Sequence, residues 1–231
     1  MTTAIGMPPP PPFDPSRVRV GVDFDNTIIC YDGLFHAVAV EKGLVPAAIA
    51  PLKNSVRDYL RSVGNEDAWT ELQGYVYGER ICDAEAFAGV LCFFKACRCQ
   101  GVDVFIISHK TRHPYRGAAY DLHGAAIRWL EYNGFLEPQG GVLPADRVFL
   151  EQTKADKLAR IGRQRCTHFI DDLPEFLNEE GFPEFTAKIL FDPGDHHGGT
   201  VAPIRFSSWP QIHRHLLGDA NDGKGRCGQA S

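Results

Sequence analysis

The chain predicts a doubly wound parallel α/β sheet with a helical cap inserted after the first strand. Five short apolar runs, rich in β-branched and aromatic residues, alternate with helical patterns that stop at glycine. Four of the five runs end in polar or acidic residues: Asp23, Ser108, the pair Asp171 and Asp172, and Asp192. In open sheets of this kind, ligands bind outside the carboxyl ends of the strands.

The first strand is read in "RVRVGVDF" (17–24), followed by "VDVFIIS" (102–108), "RVFL" (147–150), "THFIDD" (167–172) and "AKILFDP" (187–193). Each is too short for a helix of its own. Between them, "DAEAFAGVLCFFKACRCQ" stops before Gly101 and "AAYDLHGAAIRWLEYN" before Gly134. "KADKLARI" stops before Gly162 and "PEFLNEE" before Gly181, and glycine there supplies the left-handed residue that closes a helix. The stretch 31–83 is too long for one crossover, and "LFHAVAVEKGL", "IAPLKNSVRDYLRSVG" and "EDAWTELQGYVYG" have helical periodicity. It is expected to cap the crevice, leaving 17–30 and 84–217 as the core domain. Residues 1–16, with prolines 8–12, are expected to form a disordered leader, and 218–231 a flexible tail.

A net charge of −5 supplies no basic field for nucleic acid, so a site for an anion must create its own positive potential. No apolar run approaches the ~18 residues of a membrane span. Seven cysteines, an odd number without a recurring CxxC pair, argue against a disulfide framework or a zinc ribbon. Reduced thiols and a cytoplasmic location are the resulting expectation. Nothing in the sequence sets the oligomeric state.

Asp23 and Asp25, separated only by Phe24, bring two negative charges to the end of a buried strand. Like charges repel and lose hydration there, so a cation or a reaction is needed to explain them. In "EQTKADKLARI", Thr153 followed by Asp156 marks a helix start, with Lys154 and Lys157 both in the first turns. There the helix dipole already favours an anion. "IDD" before Pro174 also reads as a helix cap.

The order "DFDNT", "IISHKT", a helix-start lysine and "FIDD" resembles the four motifs of the haloacid dehalogenase-like superfamily, over about 17–30 and 102–215. The resemblance implies Asp23 as nucleophile forming an aspartyl-phosphate, and Asp25 as the acid and then base for leaving group and water. It implies Mg²⁺ on the Asp23 carboxylate, the Asp25 carbonyl and Asp172, with Asp171 as a further ligand or as its orienter. It implies Ser108 and a lysine on the phosphoryl group; the "DKL" context favours Lys157, with Lys154 the alternative. The dehalogenase branch lacks an aspartate at the place of Asp25, whereas phosphatases and phosphomutases keep it.

The function implied is a Mg²⁺-dependent phosphomonoesterase acting on a small phosphorylated metabolite, a sugar phosphate or nucleotide, with no nucleic-acid or membrane partner. A phosphomutase and a catalytically silent phosphate-binding protein are the alternatives. Signalling receiver domains gather similar residues, but with paired acids first and no helical insertion after the first strand. His109, Lys110, Arg112 and His113 either meet the substrate's distal groups or form a solvated loop. Asp195, His196 and His197 are read as solvent-facing rather than as a second metal site. Trp69, Trp129 and Trp209 are read as packing residues, and Cys30 as structural.

Overall fold

A computed structural model of the chain describes residues 17–136, 141–197 and 204–218. The leader, Cys227 and the tail beyond Gly218 lie outside these residues. Strand β1 (Arg19–Val22) is flanked by β4 (Asp103–His109) on one side and β6 (His168–Asp171) on the other. Adding β5 (Val148–Glu151), β7 (Ala187–Phe191) and β8 (Ile204–Phe206) gives the order β5-β4-β1-β6-β7-β8, parallel throughout. Connections diverge to opposite sides of β1, so a crevice opens at its carboxyl end.

The alternation along each strand divides its side chains between two faces. Val104 and Ile106 of β4 join Val20, Val22, Ile170 and Ile189 in the larger buried cluster. Phe105 and Ile107 point the other way, into a smaller cluster with Phe169, Phe176 and Leu190. Helices α4 (Val90–Gln100), α5 (Leu122–Tyr132) and α8 (Trp209–Leu217) contribute to the first cluster. Ile161 of α6 (Lys154–Arg163), with Phe176 and Leu177 of α7 (Pro174–Leu177), contributes to the second. Doubly wound architecture, as the sequence predicts, follows from strands buried on both faces.

The insertion folds into α1 (Asp32–Glu41), α2 (Lys53–Ser62) and α3 (Glu66–Gly78), which pack against one another. Their buried faces, including Phe35, Val38, Val56, Leu60, Trp69, Leu72 and Val76, belong to the larger cluster. The inserted helices therefore share a core with the sheet. An aromatic chain makes the link: Trp69 lies 5.2 Å from Phe35, Phe35 5.5 Å from Tyr77, and Tyr77 4.8 Å from Tyr31 between ring centroids.

Four elements differ from the sequence expectation. Helix α6 does not stop before Gly162 but runs through it to Arg163, and the left-handed residue beyond it is Arg165 at φ 51°. The helix read over 83–100 begins only at Val90, because Gly89 takes a left-handed φ of 90°. Before it, β3 (Glu85–Ala86) pairs antiparallel with β2 (Ile29–Cys30). The helix read in "PEFLNEE" is the four-residue α7. The sheet also extends to β8, a three-residue edge strand too short to show a period. All three tryptophans are buried, and the indole nitrogens of Trp129 and Trp209 donate to the Ala84 and Thr27 carbonyls at 2.8 and 3.0 Å.

Candidate active site

The site begins where β1 ends. The Asp23 amide still donates to the Ile170 carbonyl at 2.9 Å, one step beyond the strand. The chain then turns, with the Phe24 carbonyl accepting from the Ile28 and Ile29 amides at 3.0 and 3.2 Å. Asn26 occupies the left-handed region at φ 55°, which asparagine tolerates better than most residues. Phe24 is fully buried and meets Trp129 edge-on at 5.5 Å, which stabilises by roughly 2–3 kcal/mol and fixes both flanking aspartates.

Asp23 faces the β6 side. Its Oδ1 accepts from Lys157 Nζ at 2.6 Å, and the same ammonium donates to Asp171 Oδ2 at 2.6 Å. Lys157 is buried and presents its charge from the first turn of α6, whose start is capped by Thr153 accepting from the Asp156 amide at 3.0 Å. Lys154 is exposed on the rim and pairs with Glu179 at 3.8 Å. Both oxygens of Asp171 have a partner, because the other accepts from the Leu173 amide at 2.9 Å. Asp172 has only a long 3.5 Å contact from the Thr27 hydroxyl, and its carboxylate faces the cavity. Ser108 is buried at the end of β4 and lines the same cavity, of about 380 Å³.

Asp25 belongs to a different network. Lys110 Nζ donates to both its oxygens, at 2.8 and 2.9 Å, and the Tyr31 hydroxyl donates to Oδ1 at 2.7 Å. Lys110 is buried and held by its backbone: its amide donates to the Glu151 carbonyl at 2.8 Å, and its carbonyl lies 2.8 Å from His123 Nε2. In the sequence Lys110 stands among His109, Arg112 and His113. Strand alternation separates it from them, since Lys110 shares a face with Ser108 two residues before. His109 is exposed with Nε2 3.1 Å from the Gln152 carbonyl, Arg112 pairs with Asp121 at 3.4 Å, and His113 Nδ1 lies 3.1 Å from the Tyr120 carbonyl. Lys53 and Tyr77 of the insertion, unmarked by any motif, also line the cavity.

These two networks drive two carboxyls apart. Burial pushes Asp23 up to about 7 against the pull of Lys157, with the charges of Asp171 and Asp25 adding to the rise. Asp172 is raised well above the usual range by burial and by the charges of Asp171 and Asp23. Burial would raise Asp25 too, but the Lys110 charge and the Lys110 and Tyr31 hydrogen bonds outweigh it and hold the carboxyl low. Burial opposes the Lys157 charge, yet Asp171 and Asp23 raise its value.

Asp23, Asp171 and Asp172 offer carboxylate oxygens within 4.8 Å of one another. An all-oxygen set in which Asp23 and Asp172 resist ionisation fits a hard divalent cation, which would offset that repulsion. The loop after β7 is arranged otherwise. Asp192 accepts from the His196 and His197 amides at 2.9 and 3.0 Å and from Arg205 at 2.9 Å, and Arg205 also pairs with Asp195. Its carboxylate thus closes a loop. Burial pushes the half-buried Cys30 thiol up, away from a reactive thiolate. None of the six cysteines among the described residues is in a disulfide, and no helix there is long and apolar enough to cross a membrane.

No protein-family model and no curated protein sequence matches the chain. Solved structures do. A dehalogenase superposes with a TM-score of 0.54 at 11% identity, covering 90% of this chain and 100% of that one. A haloacid dehalogenase family hydrolase from Deinococcus radiodurans R1, with bound phosphate and sodium, gives 0.54 at 15% identity over 88% and 96%. A phosphoserine phosphohydrolase-like protein from Francisella tularensis gives 0.52 at 12% over 87% and 100%. The chain has the fold of the haloacid dehalogenase-like hydrolases.

Proposed function

We propose that the chain is a Mg²⁺-dependent phosphomonoesterase that hydrolyses a small phosphorylated metabolite, a sugar phosphate or nucleotide, through a phosphoaspartate on Asp23. One observation carries this reading: two carboxylates two residues apart are held in opposite electrostatic states over one cavity. Such divergence marks separate roles in acid–base chemistry. The fold alone would also suit a dehalogenase, but that chemistry has no task for a second carboxylate that moves a proton.

Asp23 and Asp172 carboxylates and the Asp25 carbonyl would hold the cation, with Asp171 orienting Lys157. Mg²⁺, when bound, neutralises charge on Asp23 and on the phosphoryl oxygens. Lys157 and Ser108 bind and orient the phosphoryl group. Asp23 attacks phosphorus, the ester P–O bond breaks, and the leaving oxygen takes a proton from Asp25. Because Asp25 begins as a carboxylate, that proton arrives with the substrate, whose phosphate carries one in its monoanionic form. Asp25, again ionised, then takes a proton from the water that cleaves the phosphoaspartate. Lys110 and Tyr31 hold it in place for both transfers.

The purified protein should hydrolyse p-nitrophenyl phosphate with Mg²⁺, and Asp23→Asn should abolish turnover. Persistent metal-independent hydrolysis in that variant refutes the reading. Tight vanadate binding without any turnover in the wild type would mark a silent phosphate-binding protein instead.

A further inference from the structure

We propose that the roof of the cavity binds a carboxylate on the substrate, through Lys53 with Tyr77 and Gln73. The ester is then the phosphate of a hydroxy acid. This inference rests on the phosphomonoesterase reading and narrows its substrate.

Lys53 opens α2 and lines the same cavity as Asp23 and Asp172. Its amide donates to Asp32 Oδ1 at 2.9 Å, which pins the helix start over the site. Its ammonium lies 5.7 Å from the ring centroid of Phe35 and 5.6 Å from that of Tyr77. The other lysines of the cavity wall all have acid partners. Lys157 pairs with Asp23 and Asp171, Lys110 with Asp25, and Lys154 with Glu179. Among the described residues, no carboxylate lies within 4.0 Å of the Lys53 ammonium. Burial opposes its charge, but Tyr77 and the more distant Asp172 and Asp25 outweigh that, so the ammonium stays charged and faces the cavity with no acid in direct contact.

The charge needed is small. Tyr77 and Gln73 stand one helical turn apart on α3 and bring a hydroxyl and an amide to the same cavity. One cation with two neutral donors matches a monoanion with two oxygens, whereas a second phosphate dianion would call for another cation. Space is available too, because about 380 Å³ is the room of about a dozen waters and a phosphoryl group fills only part of it. With the phosphoryl group at Asp23 and Lys157, the remainder of the ester extends towards α2 and α3.

Three esters on one three-carbon frame test this with the full chain and Mg²⁺: 3-phosphoglycerate, glycerol 3-phosphate and glycerol 1,3-bisphosphate. The carboxylate ester should exceed glycerol 3-phosphate in kcat/KM by about tenfold or more. Lys53→Gln should collapse that ratio to within about twofold, and Lys53→Arg should keep most of it. A ratio near one in the wild type, or a ratio that survives Lys53→Gln, overturns the subsite. Preference for the bisphosphate over the carboxylate ester overturns the choice of carboxylate. If p-nitrophenyl phosphate and all three esters resist hydrolysis, the phosphomonoesterase reading fails. Calorimetric binding of 3-phosphoglycerate then decides the subsite alone: binding that needs Lys53 supports it, and binding that ignores Lys53 removes it.

Discussion

Mg²⁺ binding should be strongly pH-dependent below neutrality. Asp23 is pushed up to about 7 chiefly by burial, so at pH 5.5 the metal must first displace a proton from it. With that value the ionised fraction is about 3% at pH 5.5 and about 90% at pH 8. Affinity should therefore rise about 30-fold between those pH values, or about 2 kcal/mol. Asp172, also raised, adds a second displaced proton, so the rise exceeds that from Asp23 alone, and well below pH 7 the slope lies between about one and two logarithmic units per pH unit. The sign for the metal-free protein is the reverse. A carboxyl raised above its unfolded value stabilises the fold below that value and loses the contribution as pH climbs through about 7. Calorimetric titration of Mg²⁺ in buffers of differing ionisation enthalpy measures affinity and proton release together. Circular dichroism at each pH checks that the protein stays folded. Affinity that is flat from pH 5.5 to 8, with no proton released at pH 6, would refute the electrostatic account of the cluster.

Three other substitutions probe separate parts of the structure. Asp25→Asn should lower kcat roughly 10²–10⁴-fold while vanadate still binds, and a loss below tenfold would remove Asp25 from proton transfer. Gly78→Ala places a Cβ 2.4 Å from Tyr120 Cβ and Cγ, so the loop after β4 must move. The expected loss in urea unfolding is roughly 1–3 kcal/mol for overpacking, reduced by up to about 1 kcal/mol of helix preference. A stabilised variant would mean that the loop does not pack on α3 there. Burial would raise Asp192, but the His196 and His197 amides and Arg205 hold it low, so its stabilisation is present above its unfolded value and lost as pH falls through the folded one. Asp192→Asn should therefore lower the Tm at pH 7 and make little difference near pH 3. An equal loss at both would assign the effect to shape instead of charge.

Strand ends are the part of the site that the sequence displays. Asp23, Ser108, Asp171 and Asp172 stand where apolar runs stop, and a parallel sheet aligns those stops at one edge. Choosing between Lys154 and Lys157 needs helical phase. Lys157 lies four residues before the buried Ile161 and shares its inward face, whereas Lys154 falls on the rim. The roof of the cavity has no such local signal. Tyr31, Lys53 and Tyr77 reach the site only because α1, α2 and α3 fold back onto the sheet's own core, which is set by long-range packing. Local patterning also misleads at Gly89, where an apolar run continues through a residue whose left-handed backbone breaks the helix.

The contrast between Asp23 and Asp25 explains why the site needs both lysines. Lys157 pairs directly with Asp23 and Asp171, Asp172 adjoins them with only the more distant Lys53 to help, and these ammonium groups do not offset that much buried negative charge. Asp23 is consequently pushed up to about 7, and in the proposed reaction it would become a full nucleophile when further positive charge arrives. Lys110 faces one acid only, and with Tyr31 it over-compensates, holding the Asp25 carboxyl below the usual range. On the proposed mechanism the attacking group would thus depend on the cation more than the proton-transfer group does. A phosphomonoesterase gains from that division, because Asp23 is fully armed only in a site already loaded to neutralise the phosphoryl group.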